Sequence, residues 1–171
     1  MRILVVYSSR TGNTKKVAEA IFSILPQGAV LASVGEAPDP EPFDCLLLGF
    51  WNRRAAPDPA MLAYMARIHG KQVGLFGTQG AWPDSDHGKR FLENARAAVK
   101  GNEVLAEFVC MGRVDPALLA REAALPPEKQ RHQMTVERQK RLAEAANHPD
   151  EKDLALAKAV FANMLAGAQT S

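Results

Sequence analysis

The chain reads as an α/β protein built on a doubly wound, five-stranded parallel sheet. Two observations carry this reading. Short apolar runs without polar alternation, the mark of strands buried on both faces, recur along the chain. Between them lie segments whose apolar residues repeat at helical spacing, as a parallel sheet with crossover helices requires. The length of 171 residues suits one domain with a core large enough to fold alone.

The elements follow in order. Ile3–Tyr7 is an apolar, partly β-branched strand, followed by the polar turn Ser8-Ser9-Arg10-Thr11-Gly12-Asn13-Thr14. Val17, Ile21, Ile24 and Leu25 then recur on one helical stripe, which Pro26 and Gly28 end. A short strand, Ala29 to Ser33, precedes a Pro- and acid-rich loop. Cys45 to Trp51 is a second buried run, broken at Asn52-Arg53-Arg54. Asp58-Pro59 reads as an N-cap with proline in the first helical turn, and Met61, Leu62, Met65 and Ile68 give that helix its buried stripe. Gln72 to Phe76 is the next strand, leading into a loop Thr78-Gln79-Gly80-Ala81-Trp82-Pro83. A helix from about Asp86 to Lys100 buries Phe91, Leu92, Ala95 and Val99, and Glu103 to Cys110 is the last strand. A terminal helix, about Asp150 to Leu165, carries Leu154, Ala157, Phe161 and Leu165 on one stripe.

An insertion at about 113–148 departs from the alternation. It holds two short helices, starting at Asp115-Pro116 and near Thr135, separated by Pro126-Pro127. From Arg121 to Arg141 it has six Lys/Arg against three Asp/Glu, which suits a solvated surface elaboration and a functional cap equally.

Composition excludes several classes. Apolar residues make up 47% and charged residues 23%, which is ordinary for a globular chain and not for a disordered or coiled-coil one. No stretch approaches the roughly 18 apolar residues of a membrane span. The five-residue apolar run near the N-terminus is too short for a secretory h-region. Two cysteines, Cys45 and Cys110, cannot make a disulfide framework, so the expectation is a reducing cytoplasm. A net charge of +2 gives no reason to expect a nucleic-acid partner. The four histidines show no metal-ligand spacing, and there is no Gly-x-Ser-x-Gly elbow. The oligomeric state is left open.

The strand–loop–helix from Val5 to Ile21 is the most informative segment. Unpartnered amides at a helix start, with the helix dipole behind them, favour an anion. Ser and Thr hydroxyls add donors that rotate to meet phosphate oxygens. The loop is not a Walker A motif, and one glycine is too few for a dinucleotide fingerprint. Ser9-Arg10-Thr11-Gly12-Asn13-Thr14 instead resembles the (Ser/Thr)-x-Thr-Gly-x-Thr phosphate loop of flavodoxins.

The resemblance extends over nearly the whole chain in element order. It implies the strand order 2-1-3-4-5 and flavin mononucleotide (FMN) as cofactor, held where the loops after strands 1, 3 and 4 converge. It places the FMN phosphate on Ser9, Arg10, Thr11, Gly12, Asn13 and Thr14. Trp51, with Asn52 and Arg53, and Trp82, with Thr78, Gln79 and Gly80, would then flank the ring, since a loop tryptophan gains from a flat stacking partner. The last loop lacks the acid and tyrosine usual in flavodoxins; Asp84, Asp86 and Trp82 are their candidate replacements. The loop after strand 3 has no glycine, and Arg53 and Arg54 there would favour an anionic reduced flavin or bind an anionic substrate. The resemblance implies an FMN-binding electron-transfer protein serving a redox partner protein or a small anionic acceptor. The alternative is a reductase or oxidase acting directly on a small anionic molecule such as a quinone or tetrapyrrole.

Overall fold

A computed structural model describes residues 1–130 and 132–168. Arg131, one of the basic residues counted in the insertion, lies outside the described residues. The strands are β1 (Ile3–Tyr7), β2 (Val30–Ser33), β3 (Cys45–Trp51), β4 (Gln72–Gln79) and β5 (Glu103–Met111). They form one parallel sheet in the order β2-β1-β3-β4-β5, as the sequence predicts.

The sheet is covered on both faces. Helices α2 (Pro59–Met65) and α3 (Asp86–Ala98) pack on one side, where Leu4, Leu46, Leu48, Phe50, Met61 and Phe91 bury together. Helices α1 (Asn13–Phe22) and α6 (Glu151–Ala168) pack on the other, around Val5, Leu47, Phe76, Ile21, Ala157 and Phe161. This two-sided burial explains the unbroken apolar runs of β1 and β3. Close approach of α6 requires Gly74 in β4: a Cβ there would stand 2.6 Å from the Phe161 ring and 2.8 Å from Leu47. Phe50 meets Phe91 edge to face, at 5.3 Å between ring centres.

The predicted caps hold. Asp58 accepts from the amides of Ala60 and Met61, Asp115 starts α4 (Pro116–Ala123), and Thr135 starts α5 (Val136–Ala145). The two short helices of the insertion are therefore present, with a 3₁₀ turn at Pro127–Lys129 between them.

One boundary moves in a way that matters. β4 continues three residues past Phe76, so Thr78 and Gln79 are strand residues rather than loop residues. Thr78 pairs in register with Trp51 and Cys110, and Gln79 with Met111. Both are buried; Thr78 Oγ1 pairs with Thr14 and Gln79 Oε1 accepts from Asn52, which offsets part of the cost of burying them, while Gln79 Nε2 stays buried without a partner. α3 ends at Ala98 rather than Lys100, and α6 runs three residues beyond Leu165. Among the described residues, no helix is long and apolar enough to cross a membrane.

Candidate functional site

In a parallel sheet every strand ends at the same edge, so the segments after β1, β3 and β4 meet there. The structure brings Arg10, Thr11, Asn13 and Thr14 together with Trp51, Asn52, Thr78, Gln79 and Gly80 around one inner cavity of about 140 Å³. Sequence reasoning missed its remaining wall, Gly112 to Asp115 and Leu118, which the insertion supplies.

The loop before α1 is built for an anion. Gly12, the N-cap residue, is left-handed at φ 89°, a conformation open to glycine at little cost. It offers no side-chain cap, so the first-turn amides of α1 have no partner on the helix or from its cap. Ser9 Oγ is buried and unpartnered as well. Buried polar groups are ordinarily satisfied, so an orphaned hydroxyl in the loop that opens α1 with uncapped amides is a feature a ligand oxygen would satisfy. The hydroxyl of Thr14 differs: Thr14 is 1% exposed, and its Oγ1 lies 2.9 Å from Thr78 Oγ1, tying α1 to β4. Asn13 Nδ2 donates to the carbonyl of Arg113 at 2.9 Å, fastening the loop to the insertion. Arg10 lies over the Trp51 ring at 5.9 Å and pairs with Asp115 at 3.3 Å, so it crosses the cavity mouth.

The segment after β3 is a tight hairpin. Arg53 and Ala56 exchange both backbone hydrogen bonds, and Asn52 bridges to Pro57. Arg54 (φ 57°) and Ala55 (φ 59°) are both left-handed, as a type I′ turn demands, although neither is glycine. Asn52 Oδ1, accepting from the Ala55 amide at 2.9 Å, and Asn94 Nδ2, donating to the Ala55 carbonyl at 2.7 Å, hold the turn. Asn52 Nδ2 donates to Gln79 Oε1 at 2.7 Å and faces His87 Nε2 at 3.2 Å. Two amide hydrogens on one nitrogen make His87 Nε2 the acceptor, leaving the ring proton on Nδ1. Burial first, then the charges of Arg141, Arg90 and His132, lower the His87 pKa and keep it neutral.

Trp82 stands apart from the other expected site residues. It does not share the cavity with Trp51. Ser85 turns the chain back on the Trp82 carbonyl, with Oγ at 2.6 Å, and the indole Nε1 donates to Glu144 of α5 at 2.8 Å. Its indole is thereby anchored to the insertion. Asp84 and Asp86 line neither the inner cavity nor the outer one described next.

A second, outer cavity of about 640 Å³ opens from the first under the insertion. Arg53, Arg54, Ala81 and His87 form its floor side, and Leu118, Leu119, Glu122, His132, Arg138, Arg141 and Leu142 come from the insertion. The insertion is tied down by Arg138 to Glu122 at 2.7 Å, with both side chains largely buried, and by Arg138 to the His132 carbonyl. Arg138 first, then the His132 amide, hold the Glu122 pKa below the ordinary carboxylate value. The insertion thus lines both cavities. At its far end, His148, Asp150 and Asp153 bring their ligand atoms within 4.8 Å of one another, and they serve as the start of α6.

A five-stranded sheet of this order, with an uncapped anion loop and an aromatic wall at its switch point, defines the class of nucleotide-binding doubly wound proteins. Within that class the chain belongs to the flavodoxin family: the flavodoxin domain model matches residues 4–162. A curated relative, the flavodoxin-like domain-containing protein BilS of Clostridioides difficile (strain CD3), is 31% identical over 96% of this chain and 97% of its own. Among solved structures, oxidised flavodoxin 2 from Bacillus cereus superposes with a TM-score of 0.59 at 18% identity, covering 98% of this chain and 99% of its own. A flavoprotein from Lactobacillus acidophilus NCFM, solved in complex with FMN, gives a TM-score of 0.53 at 16% identity, over 70% of this chain and 97% of its own. The cofactor this family implies is FMN. The donor set fits it: uncapped amides and an orphaned Ser9 hydroxyl suit a phosphate, and Trp51 offers a flat face beside them.

Proposed function

We propose that this chain is an FMN-dependent electron-transfer protein whose phosphate site is the Ser9–Thr14 loop. The observation that carries this reading is the uncapped start of α1, whose Asn13 and Thr14 line one cavity with Trp51, together with the buried, unpartnered Ser9 Oγ of the same loop. FMN, when bound, supplies the electron-accepting and electron-donating ring; the protein supplies binding, orientation and electrostatics. Ser9, Thr11 and the α1 amides take the phosphate, with the helix dipole favouring its charge. Trp51 stacks on the ring, and the edge of β4 at Gln79-Gly80 meets its polar side. Arg10 leaves the Trp51 face when the ring arrives. The described chain acts as one domain, with the insertion covering the flavin edge.

Electrons pass to a redox partner protein, or to a small anionic acceptor that reaches the ring through the outer cavity. The second route draws support from the size of that cavity and the cations around it. A cytoplasmic location agrees with two free, buried cysteines. The test is the visible spectrum of the protein as purified, with the released nucleotide identified by chromatography. One FMN per chain supports the reading, and a colourless protein that takes up no added FMN overturns it.

A further inference from the structure

Resting on the reading that FMN occupies the inner cavity, we propose that the outer cavity is a binding site for a small conjugated organic anion, whose acid group meets Arg53, Arg54 and Arg141. Among the described residues, none of these three guanidinium groups has an acidic partner or a side-chain hydrogen bond, although all three line one cavity. The other two arginines of the cavity are neutralised, Arg10 by Asp115 and Arg138 by Glu122. Among the described residues, Glu122 is the one acid that lines the cavity, and it is committed to Arg138. Like charges lining one cavity repel each other, and an anion placed among them relieves that repulsion.

The neighbourhood reports the same field: Arg141 is among the charges that lower the His87 pKa. The rest of the wall mixes polar side chains, Asn52, Gln79, His87 and His132, with an apolar strip. Val114, Leu118, Leu119 and Leu142 offer nothing to a hydrated inorganic ion and suit the body of an aromatic or polyene molecule. The space runs continuously to Trp51, so an occupant lies beside the ring position rather than at a remote surface. The turn that presents Arg53 and Arg54 is held by Asn52 and Asn94, which pre-organises the two cations.

The test uses the FMN-loaded protein and two probes of one shape, an anthraquinone carboxylate and its neutral hydroxymethyl analogue, titrated calorimetrically. The carboxylate should bind about tenfold or more tightly than the analogue, the size of one charge-assisted hydrogen bond. Added salt should shrink that advantage. Arg141→Gln, and separately Arg54→Gln, should remove most of it while flavin content stays at the wild-type level. Arg141→Lys should keep most of it, which separates lost charge from a damaged fold. Equal affinities of the two probes for the wild type would overturn the proposal. So would undiminished carboxylate binding in the Gln variants with flavin retained. A protein that takes up no FMN fails in a different measurement, the flavin spectrum, and removes the premise as well.

Discussion

Ser9 and Thr14 sit in the same loop, the one proposed to hold the phosphate, yet their hydroxyls stand differently. Ser9 Oγ is buried with no partner, so Ser9→Ala should leave the stability of the flavin-free protein unchanged or slightly raised. The same variant should weaken FMN about tenfold, because it removes a hydrogen bond to a charged group. Thr14 Oγ1 is already bonded to Thr78. Thr14→Val should therefore cost about 1–2 kcal/mol in denaturant unfolding of the flavin-free protein, by leaving a buried hydroxyl unpaired. If Ser9→Ala destabilised the flavin-free chain and Thr14→Val did not, the assignment would be reversed. The left-handed turn gives a second residue-scale expectation. Ala55 at φ 59° carries a conformational cost that glycine escapes. Ala55→Gly should raise stability by about 0.5–1 kcal/mol once the greater unfolded-state freedom of glycine is subtracted. An unfolding midpoint below that of the wild type would show that the 5% exposed methyl contributes more to packing than the turn costs.

The insertion is the element whose behaviour the pH dependence reports. Glu122 has its pKa lowered by Arg138 and by the His132 amide, so its ionised form is favoured in the folded state. A lowered pKa stabilises above the ordinary value, and the contribution is lost as pH falls through the lower, folded value. Hydrogen exchange of α4 and α5 should thus be slow at neutral pH and quicken in the acid range, ahead of β3 and β4. Simultaneous loosening of sheet and insertion would contradict this. How legible these elements were follows from physics at particular positions. Asp58, Asp115 and Thr135 revealed three helix starts because capping is a local interaction. Thr78 and Gln79 read as loop because they are polar; only tertiary partners, Thr14 and Asn52, make them tolerable inside a strand. Trp51 was placed at the cavity by its position at the end of a buried strand, which sequence shows. Trp82 was expected at the ring, whereas its indole reaches Glu144, 62 residues away, and no local pattern encodes that contact. The basic stretch of the insertion was visible, but its pairing of Arg138 with Glu122, which leaves Arg141 unpaired, was not.

At the scale of the whole molecule, the sheet order puts a phosphate loop, an aromatic wall and a cationic roof at one edge. A net charge of +2 leaves little long-range field, so any salt dependence of electron delivery arises from the local cluster at that roof. Binding at this edge draws on β1, β3 and β4 at once, so FMN at a hundred times its Kd should stabilise the entire fold by about 2.7 kcal/mol. The central claim, that the Ser9–Thr14 loop holds the phosphate of FMN, is tested most directly by comparing FMN with riboflavin, which has the same ring and no phosphate. Equilibrium titration of the flavin-free protein should show FMN binding at least about a hundredfold more tightly, from two or more charge-assisted hydrogen bonds. Thr11→Val should weaken FMN about tenfold and leave riboflavin unchanged. Riboflavin binding as tightly as FMN, or a Thr11→Val variant that weakens both alike, would contradict the account.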